Sequence, residues 1–158
     1  MIRRPPRSTQ GVSSAASDVY KRQRLVRRFE KPLLVCVPSI AAKLDSSGED
    51  YLLLDRDERF ATLRHYEPFD LRAPRSVAYA FDALFLDPPF ANVGVAELAA
   101  ATRPLMGAAP RPLYVGYNAK RAAELEAAFA DFALKNTGEV LTYASGVMAG
   151  DITLFSNV

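Results

Sequence analysis

One cysteine and one histidine stand among the 158 residues, and that scarcity removes several kinds of chemistry at once. Cys36 by itself forms no intrachain disulfide and no thiolate zinc site. His65 by itself excludes a metal site built from several histidines, so no metal is expected. A single thiol fits a reducing interior, and a cytoplasmic protein is expected. No apolar run approaches the roughly eighteen residues that a membrane helix needs. Glycine-rich phosphate loops are missing as well: neither GxGxxG nor GxxxxGK occurs. That argues against a nucleotide-hydrolysing or an ordinary dinucleotide-dependent enzyme.

What is present is a globular composition, with 49% hydrophobic and 24% charged residues. The length suits one domain. The net charge of +2 is unevenly spread. Residues 1–23 hold five Lys/Arg against one Asp, a net of +4, which leaves −2 for residues 24–158. A mildly acidic body argues against tight, sequence-independent binding to phosphates. The head itself, MIRRPPRSTQGVSSAASDVYKRQ, shows neither helical nor strand periodicity. It resembles the conceptual translation of sequencing-adapter DNA. Residues 1–23 are therefore expected to be a disordered, foreign head on an N-terminally truncated chain, and residues 24–158 to be the domain.

Strand and helix signals alternate through that domain. Leu33–Val37 is an apolar run of strand length. Pro38 breaks it, and Ser39 is placed to cap a short helix over Ile40–Leu44. Ser46-Ser47-Gly48 is a loop, and Tyr51–Leu54 is a second strand ending at Asp55. A helical turn is expected at Asp57–Phe60, an edge strand at Leu63–Tyr66 and irregular chain at Phe69–Arg75. Ala83–Leu86 is a third strand, ending at Asp87. A helix over Val95–Thr102 is expected to stop before Pro104. Pro112–Tyr117 is a fourth strand, after which Asn118 caps the longest helix, running to Phe132 with Leu125, Phe129 and Phe132 on one face. The segments Phe132–Tyr143 and Ile152–Phe155 are expected to pair antiparallel. Strands alternating with helices predict an α/β fold with a doubly wound, mostly parallel sheet, whose ligands bind at the carboxyl ends of the strands.

Those strand ends carry the candidate chemistry. Asp55 is placed either to accept hydrogen bonds from ribose hydroxyls or to serve as a turn and cap residue. Asp87-Pro88-Pro89-Phe90 has a definite physical logic. Consecutive prolines lack N–H groups and leave carbonyls as acceptors on a stiff backbone. The Asp87 carboxylate adds further acceptors, and Phe90 offers a flat face for stacking. Such a set suits an –NH2 group, whose hydrogens are bound while the lone pair is left to react. The competing reading is a strand-terminating turn with Phe90 in the core. Cys36 and His65 read as a buried packing residue and a surface residue, respectively.

VCVPSIAAKL, YLLLDRDERF and FDALFLDPPF, in that order, resemble the N6-adenine methyltransferase-like family, which includes lysine methyltransferases of elongation factor 1A. The closing GDITLFSNV is similar to that family's last strand, and the resemblance spans residues 32–158. It implies a Rossmann-like sheet, mostly parallel with a C-terminal antiparallel pair and incomplete at the N-terminus, and S-adenosylmethionine as cofactor. Carried over by position, Pro38 and Ser39 start the helix beside the cofactor and Asp55 holds its ribose. Asp87, Pro88, Pro89 and Phe90 line the acceptor-amine site. The implied activity is N-methylation of adenine in nucleic acid. The alternatives are methylation of a lysine on a translation factor and a truncated, non-catalytic fragment of the fold.

Overall fold

Leu33, Leu34 and Val35 are fully buried on both faces, the condition of a central strand covered by helices on either side. In the computed structural model they belong to β1 (Pro32–Val35). The structure describes residues 20–89, 93–141 and 152–158. Around β1 lie β2 (Leu52–Asp55), β3 (Tyr66–Pro68), β4 (Ala83–Leu86), β5 (Leu113–Asn118), β6 (Lys135–Val140) and β7 (Ile152–Ser156). They form one sheet in the order β3-β2-β1-β4-β5-β7-β6. The first five strands pair in parallel, and β7 runs antiparallel to both β5 and β6. The expected α/β sheet with its antiparallel end is thus present. Tyr143, the expected end of the sixth strand, lies outside the described residues.

Each face of the sheet has its own core. One gathers Leu33, Val35, Leu54, Leu84 and Leu86 with Leu98 and Leu105 of α3 (Val95–Met106) and Leu125 of α4 (Ala122–Ala128). The other gathers Leu34, Leu53, Phe85 and Tyr114 with Ile40 and Leu44 of α2 (Pro38–Ser46) and Val26 of α1 (20–26). Successive residues of β1 alternate between these clusters, as the two-residue period of a strand requires. No helix among the described residues is long and apolar enough to cross a membrane.

Several local expectations are corrected. Residues 20–23 are helical rather than part of a structureless head, because Leu25, Val26 and Phe29 seat α1 on the sheet and carry the preceding turn with them. The other residues of the head lie outside the described residues. Helix α2 begins at Pro38, and no side chain caps it. Proline fits there because the first helical N–H has no partner to lose; Ser39 is simply the next residue and faces solvent. Helix α3 continues through Pro104 to Met106. Ala100 and Pro104 lie on its exposed side, where water can replace the lost donor, and the buried Leu105 and Met106 hold the last turn in place. Gly107, at φ 63, ends it.

The longest expected helix is instead three short pieces. Asn118 caps a 3-10 turn at Ala119–Arg121, accepting from the Lys120 N–H. Helix α4 follows, and a second 3-10 turn covers Ala130–Phe132. The tighter winding sets Phe132 beside Phe129, with the rings tilted and their centroids 5.9 Å apart. The edge strand lies at Tyr66–Pro68, later than expected.

Candidate active site

Val35 is in register with Leu54 on one side and Leu86 on the other. The next residue of each strand is therefore level as well, which sets Asp55, Cys36 and Asp87 in a row along the carboxyl edge of the sheet. Backbone hydrogen bonds hold this row beyond the last regular residues. Cys36 N–H donates to Leu54 O at 2.9 Å, Asp87 N–H to Val35 O at 3.1 Å and Phe69 N–H to Asp55 O at 3.1 Å. With about 4.8 Å between neighbouring strands, Asp55 and Asp87 stand roughly 10 Å apart along the backbone edge.

Cys36 lies between them with φ 59, in the left-handed region. This backbone turn packs Cys36 against the same core cluster as Val35, where simple alternation would send it to the opposite face. Burial, and then the Asp55 and Asp87 carboxylates, push its thiol up to about 12. It is a neutral, inert group on the floor of the site.

Asp55 is half-buried, and its carboxyl is raised chiefly by that burial. Its Oδ1 accepts the Asp57 N–H at 2.9 Å, and its backbone carbonyl accepts the Tyr66 hydroxyl at 3.0 Å. Asp57 caps the 3-10 turn Glu58–Thr62 and pairs with Arg59. On the other flank, Arg22 of α1 reaches Asp87 Oδ2 at 3.5 Å, with 14% and 18% of the two side chains exposed. That distance is at the long limit for a charged hydrogen bond.

Cys36, Asp55, Asp57 and Asp87 border a cleft of about 480 Å³. Pro38, Asp55, Asp87, Pro88 and Pro89 all line it, so the structure brings five of the seven sequence-predicted residues together. Ser39 is absent from the lining, and Phe90 lies outside the described residues. Strand β4 ends at Leu86 and residues 87–89 take no regular structure; the Phe90 part of the competing turn reading lies outside the described residues.

Sequence reasoning missed much of the wall. Phe60, Phe69, Leu71 and Val93 supply apolar surface, and Arg56 and Arg72 supply charge. Phe69 and Leu71 fall in a segment without periodicity, so nothing in the pattern singled them out. Arg22, which reaches Asp87 without lining the cleft, falls in the segment read as the head. Cys36 was read as mid-strand packing, and only its backbone conformation brings it to the site. Among the described residues no cluster of three or more His, Cys, Asp or Glu side chains is arranged to hold a metal ion.

A model of the family described as probable N6-adenine methyltransferase matches residues 12–148, beginning within the head. None of the curated proteins matches this sequence. Among solved structures, the chain is similar to the N-methyltransferase NodS of Bradyrhizobium japonicum WM9, at a TM-score of 0.57 and 13% identity, covering 89% of this chain and 95% of that one. It is also similar to the magnesium protoporphyrin IX methyltransferase of Synechocystis PCC 6803 with bound SAM, at a TM-score of 0.60 and 12% identity, covering 96% and 86%. The 16S rRNA methylase RmtB aligns at a TM-score of 0.52 and 13% identity, covering 94% and 74%. At such identities these likenesses establish the Rossmann-like methyltransferase fold.

Proposed function

The chain belongs to the probable N6-adenine methyltransferase family, and from that premise we propose that it transfers a methyl group from S-adenosylmethionine to the amine of adenine in nucleic acid. The observation that carries this reading is the shared cleft, in which Asp87-Pro88-Pro89 and Asp55 stand on either side of the end of β1.

The lining fits such a cofactor. Asp55 presents a carboxylate to sugar hydroxyls, while Phe60, Phe69, Leu71 and Val93 offer an apolar wall to a flat ring. Pro38 starts α2 at the cleft edge, with Ser39 following it. Bound there, S-adenosylmethionine supplies an electrophilic methyl group on a sulfonium centre. The remaining work is done by this chain's own residues. The Asp87 carboxylate and the carbonyls of the proline pair accept hydrogen bonds from the –NH2 group and turn its lone pair into the cleft. Two prolines in succession stiffen that backbone, so little freedom is lost when the amine binds. Phe90 follows directly in sequence and is assigned the stacking face for the ring. Catalysis is then a matter of positioning and of acceptors oriented in advance.

One observation favours a second acceptor, a protein lysine. The lining carries Asp55, Asp57, Asp70 and Asp87 against Arg56 and Arg72, an acidic balance that suits a cation. A lysine ammonium must lose its proton before it can react, whereas adenine needs no such step.

Incubation with methyl-labelled cofactor and either RNA, DNA or protein from cells separates these acceptors. Label in nucleic acid supports the adenine reading, and label confined to protein replaces it with the lysine one. Asp87→Ala is expected to lower transfer by about 10²–10³-fold with the fold and cofactor binding retained. Calorimetry showing no cofactor binding by the chain favours a non-catalytic fragment of the fold instead.

A further inference from the structure

The apolar wall of the cleft hangs on a weak part of the sheet. Strand β3 is three residues long and lies at the edge, and residues 69–82 that follow it contain no helix or strand. Phe69 is nevertheless 5% exposed and lines the cleft. The Pro68 carbonyl and the Phe69 N–H belong to a single peptide plane, and that plane is gripped at both ends. Its N–H donates to Asp55 O at 3.1 Å. Its oxygen accepts from Arg75 Nη2 at 2.8 Å. The same guanidinium lies 5.3 Å from the Phe69 ring centroid, and it bonds the Glu67 carboxylate and the Ser76 carbonyl.

We infer that Arg75 is a positioning residue that sets the Phe69 wall of the cleft, and through it the fit of the cofactor's flat ring. The part concerning the cofactor rests on the function proposed above. An exposed Arg–Glu pair contributes little by itself. Here, however, the planar fork bonds a carbonyl and covers the adjacent aromatic face at once, which an ammonium cannot reproduce. Arg75 does not line the cleft, so its influence passes through Phe69.

Two readouts on the whole chain test this. Without cofactor, Arg75→Ala is expected to speed hydrogen exchange of the Phe69 amide while the denaturation midpoint stays near that of the wild type. With S-adenosylhomocysteine as the probe, its affinity is expected to fall about tenfold, the scale of one lost charge-assisted hydrogen bond. Arg75→Lys should recover part of that loss, because the cation remains over the ring. In a Phe69→Ala background, Arg75→Ala should add little further loss, since the two residues act as one unit. Unchanged Phe69 exchange in Arg75→Ala overturns the inference, as does an equal affinity loss in both backgrounds. If the wild-type chain binds neither S-adenosylmethionine nor S-adenosylhomocysteine, the proposed function fails, and amide exchange alone still decides whether Arg75 sets this wall.

Discussion

Cys36 shows how one backbone angle changes the meaning of a side chain. A thiol inside an apolar strand is inert filling, and the sequence pattern supports that reading. At φ 59 the same thiol becomes the floor of a cleft between two carboxylates. Its folded-state pKa, about 12, lies above the ordinary 9.0, so the folded protein holds this proton more tightly than the unfolded chain. Its contribution to stability is then full below about pH 9 and declines as pH rises from about 9 toward 12, by up to about 1.4 kcal/mol per pH unit. Tyr51 and Tyr79, both raised to about 12 from 10.0, act in the same direction from a higher starting pH. Urea midpoints measured between about pH 8 and pH 11 should therefore fall less steeply for Cys36→Ala than for the wild type.

The strands were more legible than the helices. Ala83–Leu86 was located to the residue, because a continuous apolar run ending in Asp-Pro-Pro leaves few alternatives. Helix ends depended on facts that local pattern does not carry. Pro104 is tolerated because it faces outward, and α4 gives way to a 3-10 turn where Phe129 and Phe132 meet. The link between α1 and β1 gives a further test. Asp82, just before β4, accepts the Glu30 N–H at 2.7 Å and the Lys31 N–H at 3.0 Å. It thereby ties the amino ends of β1 and β4 together. Asp82→Ala leaves both donors to water and should cost about 1–3 kcal/mol in chemical denaturation, with Asp82→Asn intermediate because one acceptor remains.

The domain depends on a sheet buried from both sides, and its last strand closes one of the two cores. Phe155 of β7 is fully buried, paired with Val115 and packed into the cluster that also holds Leu98, Leu125 and Phe129. On the opposite face, Phe85 and Tyr114 stack at 4.9 Å with Phe29 against them. This contact fastens α1, and with it Arg22, over Asp87. Phe155→Ala should cost about 3–5 kcal/mol. Against a usual total of about 5–15 kcal/mol, calorimetry should show a much lowered transition. Asp87→Ala, which removes no core volume, should leave that transition nearly unchanged.

Local order was readable from residues alone: apolar runs of strand length, proline and acid at their ends, and from these the α/β class and the residues Asp55 and Asp87. Such features depend on neighbours in the chain, through backbone sterics and side-chain alternation. Which strand ends lie level, how Cys36 turns, and whether Phe69 and Arg22 face the site depend on partners far away in the chain. Register and packing decide those, because a residue in irregular chain carries no periodicity to betray its direction.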